Sequence, residues 1–266
     1  MDKRPIGVFD SGLGGLTAVA EIMKTLPNED IVYFGDTARL PYGTRTKETI
    51  LRYTREDIEF LLKFNTKAVI AACGTASSVA LPCIEGEYEV PVIGVVKPAA
   101  KAAVRASKNG RIGIIGTSAT IKSRSYEREI LAVNPRAEIY TRACPLFVPL
   151  VENGRTDPND VVLSVMVEEY LADIKRAGVD TLILGCTHYP IIERAIAEFM
   201  GDIELINPGS EAAKYLAGLE NAEKDGSAGK YRFFVSEDRE GFMEHASSFL
   251  GGRLSGSVEL MTAENR

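Results

Sequence analysis

The sequence predicts an α/β protein of two pseudo-symmetric lobes, each a mostly parallel sheet flanked by helices, with the active site in the cleft between them. Three observations predict it. Short apolar runs alternate with segments of helical spacing along almost the whole chain, the pattern of parallel strands joined by crossover helices. The chain repeats itself weakly: Gly7-Val8-Phe9-Asp10-Ser11 aligns with Gly113-Ile114-Ile115-Gly116-Thr117. Two cysteines occupy matched settings at a similar displacement, in Val69-Ile70-Ala71-Ala72-Cys73-Gly74-Thr75 and in Leu182-Ile183-Leu184-Gly185-Cys186-Thr187-His188. Each follows an apolar run that reads as a buried strand and precedes a segment that reads as a helix.

The elements follow in order. Ile6–Phe9 is a strand, and Leu16, Val19, Ala20 and Met23 come next at helical spacing. Ile31–Phe34 is a second strand. Thr46–Phe64 reads as a helix with Ile50, Ile58, Leu61 and Leu62 as its apolar stripe. The Cys73 strand and its helix precede an extended run over Pro91–Val96. A new cycle opens at Arg111–Thr117. It continues through a helix (Tyr126–Val133), a strand (Glu138–Arg142), a helix (Asp160–Ala177), the Cys186 strand, a helix and the strand Ile203–Ile206. The last section reads as a helix over 211–219, a polar loop over 220–229, the strand Tyr231–Val235 and a helix to Leu250. Lobe boundaries are expected near Lys97-Pro98 and Asn207-Pro208. Residues 1–97 with 208–266 would carry Cys73, and residues 98–207 would carry Cys186.

Composition narrows the function classes. The 266 residues are 45% hydrophobic and 26% charged, an ordinary globular mixture with enough chain for a substantial core. The formal charge is −6 and no lysine or arginine block occurs, so a nucleic-acid footprint is missing. No run approaches the length of a membrane span, and no leader pattern opens the chain. Cysteines stand at 73, 83, 144 and 186 without a Cys-x-x-Cys pair. They read as reduced thiols of a cytoplasmic enzyme.

The chemistry is expected at the strand ends. A strand–Cys–helix junction puts sulfur at the carboxyl edge of a sheet, where open α/β folds bind ligands. One thiol on each side of a cleft could take a proton from one face of a carbon and return one to the other. A thiol titrates near enough to neutral pH for either protonation state to serve, and a helix N-terminus favours the thiolate. Cys83 and Cys144 read as inert core cysteines. A zinc site would have to recruit distant carboxylates, because the chain has only two histidines. No metal is expected. Asp10-Ser11-Gly12-Leu13-Gly14-Gly15 lies between a strand and a helix but has neither dinucleotide-loop nor P-loop spacing. It reads as a tight turn with Ser or Asp as helix cap that adds the Asp10 carboxylate to the cleft. Asp36–Gly43 reads as a loop, and Glu152 as a solvated loop-edge carboxylate. His188, two residues beyond Cys186, could act as acid, base or thiol partner. His245 reads as surface.

These residues carry a resemblance. Asp10-Ser11-Gly12-Leu13-Gly14-Gly15, Pro41-Tyr42-Gly43, the Cys73 segment, Gly116-Thr117-Ser118-Ala119-Thr120 and Leu184-Gly185-Cys186-Thr187-His188-Tyr189-Pro190 resemble the glutamate racemases of the aspartate/glutamate racemase superfamily. The resemblance runs from residue 6 to about 210. It implies a cofactor-independent, two-base interconversion of L- and D-glutamate, the D-form serving peptidoglycan synthesis. Cys73 would be the base for the D-enantiomer and Cys186 for the L-enantiomer, assisted by Asp10, Glu152 and His188. Asp10, Ser11, Pro41, Tyr42, Gly43, Gly74, Thr75, Thr117, Thr120, Thr187 and His188 would bind substrate. A homodimer is implied. The family usually has Asn where this chain has Gly74, so a carboxamide is replaced by a bare backbone N–H, and Gly74→Asn is expected to change binding only modestly. The residues leave two other readings open: an aspartate racemase or other cofactor-free isomerase, and a two-lobed binding module.

Overall fold

Buried apolar runs become the strands of two parallel sheets. The computed structural model describes residues 2–219, 228–252 and 256–261. The first sheet contains β1 (Ile6–Asp10), β2 (Ile31–Gly35), β3 (Ala68–Ala71) and β4 (Val92–Gly94), extended by β9 (Tyr231–Val235) and β10 (Ser257–Leu260). Its order is β10-β9-β2-β1-β3-β4. The second contains β5 (Arg111–Gly116), β6 (Glu138–Ala143), β7 (Thr181–Gly185) and β8 (Glu204–Ile206), in the order β6-β5-β7-β8. The register is parallel throughout, with Ile6 opposite Ile31 and Ala68 in one sheet and Ile112 opposite Ile139 and Thr181 in the other. Every residue of β1, β3 and β7 is buried, as strands covered on both faces require.

The weak repeat is a topological one. The order β2-β1-β3-β4 matches β6-β5-β7-β8 strand for strand. The aligned segments at 7 and 113 are the central strands β1 and β5, and each cysteine follows the neighbouring strand. One apolar cluster reaches from Ile6, Val8 and Leu16 to Leu182, Leu184 and Ile192, so the sheets share core.

Crossover helices follow the predicted pattern. They include α1 (Leu16–Thr25), α2 (Lys47–Leu62), α3 (Gly74–Val79), α4 (Leu81–Ile84), α5 (Val96–Ala106), α6 (Ser118–Ser123) and α7 (Ser125–Val133). Beyond these lie α8 (Phe147–Glu152), α9 (Val161–Arg176), α10 (Glu193–Met200), α11 (Pro208–Leu219) and α12 (Arg239–Phe249). The Thr46 hydroxyl accepts from Thr49 N–H to open α2, and the Asp160 carboxylate accepts from Leu163 N–H to open α9, satisfying otherwise orphaned donors.

Several expectations need correction. The turn before α1 has no side-chain cap, because Gly15 occupies the cap position. The extended run over Pro91–Val96 shrinks to the three residues of β4. α8 forms despite Pro145 and Pro149, and β10 was not foreseen. Cys83 is exposed rather than core, whereas Cys144 is buried. His245 is exposed as expected. The polar segment over 220–229 falls, except for its last two residues, outside the described residues. Among those described, no helix is long and apolar enough to cross a membrane.

Candidate active site

Both cysteines lie just past the carboxyl ends of equivalent strands, and both face one cavity of about 290 Å³. Asp10, Ser11, Pro41, Tyr42, Gly43, Gly74, Thr75, Thr117, Glu152, Thr187 and His188 line it with them. Thr120 does not line it. It is buried behind Thr117, whose Oγ1 donates to Thr120 Oγ1 at 3.0 Å. Across the cleft, Thr117 Oγ1 lies 3.0 Å from Thr75 Oγ1.

The two junctions are built differently. Cys73 occupies the cap position of α3, which starts at Gly74. Its Sγ donates to Ser11 Oγ at 3.8 Å. Cys186 is followed not by an α-helix but by Thr187, His188 and a single 3-10 turn, Tyr189–Ile192, before α10 begins. Its Sγ lies 3.9 Å from His188 Nδ1.

Asp10 ends β1, and its Oδ2 accepts from Gly12 N–H at 3.1 Å. Thr187 Oγ1 approaches its Oδ1 at 3.5 Å, tying the first-sheet turn to the second sheet. The glycine-rich turn makes room for this. A Cβ at Gly14 would fall 2.2 Å from Thr187 Oγ1 and 2.6 Å from the His188 ring. Glu152 is the last residue of α8, not a solvated loop carboxylate. Its Oε1 accepts from His188 Nε2 at 3.1 Å.

Charged neighbours differ on the two sides of the cleft. Burial and the negative charge of Asp10 push the Cys73 thiol up to about 12, against the N–H of Ala76 and the Ser11 hydroxyl. Burial alone would lower the His188 pKa. Bonds to Cys186 and Glu152, with the charge of Asp10, overcome it and lift the imidazole to about 10. The imidazole is therefore a cation at neutral pH, wedged between Glu152 and Cys186. Burial also raises the Asp10 carboxyl, an effect opposed by His188 and backbone N–H donors.

Gly74 has a steric reason that the sequence did not reveal. A Cβ there would stand 2.5 Å from the Gly185 carbonyl oxygen, closer than real Cβ atoms approach backbone. The modest effect expected for Gly74→Asn is therefore revised to a disruptive one. The sequence reading also missed the apolar wall of Cys144, Val148 and Pro149. Cys144 follows the carboxyl end of β6, and that edge rule could have flagged it. Among the described residues, no group of three His, Cys, Asp or Glu side chains could hold a metal ion.

Two parallel sheets flanked by helices, with two thiols lining one cavity at their strand ends, define an α/β protein with a ligand-sized site between its sheets. Residues 11–216 match the Asp/Glu/Hydantoin racemase family. The chain is 45% identical over 259 residues to a glutamate racemase of Geobacter metallireducens, covering 96% of this chain and 95% of that one. Its fold matches a glutamate racemase isoform of Bacillus anthracis with a TM-score of 0.92 and 37% identity, covering 98% of this chain and 99% of that one. It matches a Francisella tularensis glutamate racemase in complex with D-glutamate with a TM-score of 0.88 and 37% identity, covering 98% of each chain. The chain belongs to the Asp/Glu/Hydantoin racemase family and is an amino-acid racemase.

Proposed function

We propose that this racemase interconverts L- and D-glutamate without a cofactor, using Cys73 and Cys186 as paired acid and base. The observation that carries the reading is that two buried thiols, at equivalent strand ends of two sheets, line one cavity. The choice of glutamate rests on the names of the relatives and on the D-glutamate complex of one of them.

The raised pKa of Cys73 suits that thiol to the acid role when L-glutamate is bound. With L-glutamate bound, the Cys186 thiolate, beside the His188 imidazolium, removes the α-proton. The Cys73 thiol then donates its own proton to the opposite face of the carbanion. The product is D-glutamate, with Cys186 protonated and Cys73 a thiolate. The reverse direction starts from that state. Each step moves one proton, so the enzyme returns to its starting state only after the two thiols re-exchange protons with solvent. Ser11, Pro41, Tyr42, Gly43, Gly74, Thr75, Thr117 and Thr187 hold the substrate, and Thr120 orients Thr117. Asp10, Glu152 and His188 tune the thiols.

In this reading the lobes are residues 1–97 with 208–266, and 98–207. The enzyme works in the cytoplasm as a homodimer, and its product enters peptidoglycan. The test is optical rotation of L-glutamate and, separately, L-aspartate in D2O with purified protein and no added cofactor. Rotation of L-glutamate is expected to decay to zero with deuterium entering at the α-carbon. Decay with L-aspartate alone would overturn the glutamate assignment.

A further inference from the structure

Helix α2 buries one face, and Ile50, Thr54, Ile58 and Leu61 on it are fully buried. Asp57 belongs to the same face and is also 0% exposed. A carboxylate at such a position needs partners of its own. It finds them in a buried cluster directly behind the cavity loop. Tyr42 Oη lies 2.5 Å from Asp36 Oδ2 and 2.8 Å from Asp57 Oδ2. A phenol has one hydrogen, so it can donate to only one of these oxygens. The second short contact needs a proton on the carboxyl side.

The donor sets decide which carboxyl holds it. Asp36 receives Arg39 Nε at 2.6 Å and the Ser236 hydroxyl at 3.1 Å in addition to Tyr42. Among the described residues, Asp57 receives only a long 3.2 Å contact from Arg39 Nη2 besides the phenol. We propose that Asp57 is protonated in the folded enzyme and donates to Tyr42 Oη, whose own hydrogen goes to Asp36, so that Asp57 is a positioning residue for the Pro41-Tyr42-Gly43 loop.

The loop is well placed to feel this. Tyr42 and Gly43 line the cavity, and a Cβ at Gly43 would come within 3.0 Å of Thr117 from the second sheet. With its hydroxyl committed to the cluster, the Tyr42 ring acts as an anchor that fixes the loop against that sheet. The charged and titratable groups around Asp57 are Asp36, Arg39, Tyr42 and Glu56, with the Tyr33 phenol further off. Burial and the Asp36 charge push the Asp57 carboxyl well above the usual carboxylate range, against Tyr42 and Arg39.

Two measurements on the full-length enzyme test the assignment. The kinetic one rests on the racemase reading and the thermal one does not. Asn at position 57 keeps a donor for Tyr42 and an acceptor for Arg39, whereas Ala removes both. Asp57→Ala is expected to raise KM for L-glutamate about tenfold with kcat within about threefold, the size of one lost hydrogen bond. Asp57→Asn is expected to restore KM to near wild type. A proton bound in the fold but not in the unfolded chain makes wild-type stability fall as pH rises above the ordinary carboxylate range. Asp57→Asn lacks that loss. Its Tm minus the wild-type Tm is expected to grow by about 2–4 °C per pH unit between about pH 5 and pH 7. A constant Tm deficit across that range, or a KM for Asp57→Asn as high as for Asp57→Ala, would overturn the proposal. If no amino acid is turned over, the racemase reading fails and the thermal measurement still decides where the proton is.

Discussion

The two halves of the cleft share a topology and differ in charge. In each, a cysteine follows the strand beside the central one. Yet Cys73 faces a hydroxyl and lies near a carboxylate, while Cys186 faces an imidazolium backed by Glu152. The difference teaches that a repeated fold can supply two similar thiol positions while the loops around them surround each with different charges. The proposed two-base mechanism uses such an asymmetry, because in it one thiol has to be the acid while the other is the base.

Removing either sulfur breaks the pair and carries the largest expected effect. Cys73→Ala and Cys186→Ala are each expected to abolish racemisation, a loss beyond about 10⁴-fold in kcat. The two are also expected to differ. With L-glutamate in D2O, Cys73→Ala keeps the L-side base and retains slow α-deuteration without inversion, whereas Cys186→Ala does not. Wild-type racemisation in either variant would end the two-base reading.

The imidazolium side comes next. His188→Asn is expected to lower kcat by about 10²–10⁴-fold, and Glu152→Gln by less. Enantiomers have equal free energy in water, so kcat/KM falls equally in both directions, and any directional preference appears in kcat and KM separately. A kcat loss confined to the L-to-D direction would tie His188 to Cys186. The same pair has a thermal signature. The His188 pKa is raised in the fold, from 6.5 to about 10. Its stabilising contribution is therefore fully present below about pH 6.5 and is lost as pH rises through about 10. Wild type is expected to lose Tm across that window relative to His188→Asn. Parallel curves would show that the imidazole is neutral in the fold.

The smallest effect concerns the seam between the halves. Gly74→Ala introduces a Cβ 2.5 Å from the Gly185 carbonyl, and overpacking of this kind costs about 1–3 kcal/mol. Calorimetry is expected to show a Tm lower by roughly 2–10 °C. An unchanged Tm would mean that the two strand ends separate freely.

Much of this was legible beforehand. The strands were readable because parallel strands buried on both faces are short continuous apolar runs, as at Val69–Ala71 and Leu182–Leu184. Cys73, Cys186, Asp10 and His188 stand out in the sequence because strand ends are where such folds collect ligands. Glu152 reads as a loop residue because a helix of six residues with Pro149 inside it has no periodic signal. The resemblance implies a substrate-binding role for Thr120, yet the turn of α6 carries it behind Thr117.

The sequence by itself determined the alternation of strands and helices, the repeat and the two thiol positions, because each is a local pattern of apolar and turn residues. Only the tertiary structure decided which carboxylate faces which thiol. Asp10 meets Thr187, Glu152 meets His188 and Asp57 meets Tyr42 across separations the chain does not encode locally. Protonation depends on burial and on charges a few ångströms away, and both are properties of the packed molecule rather than of any segment.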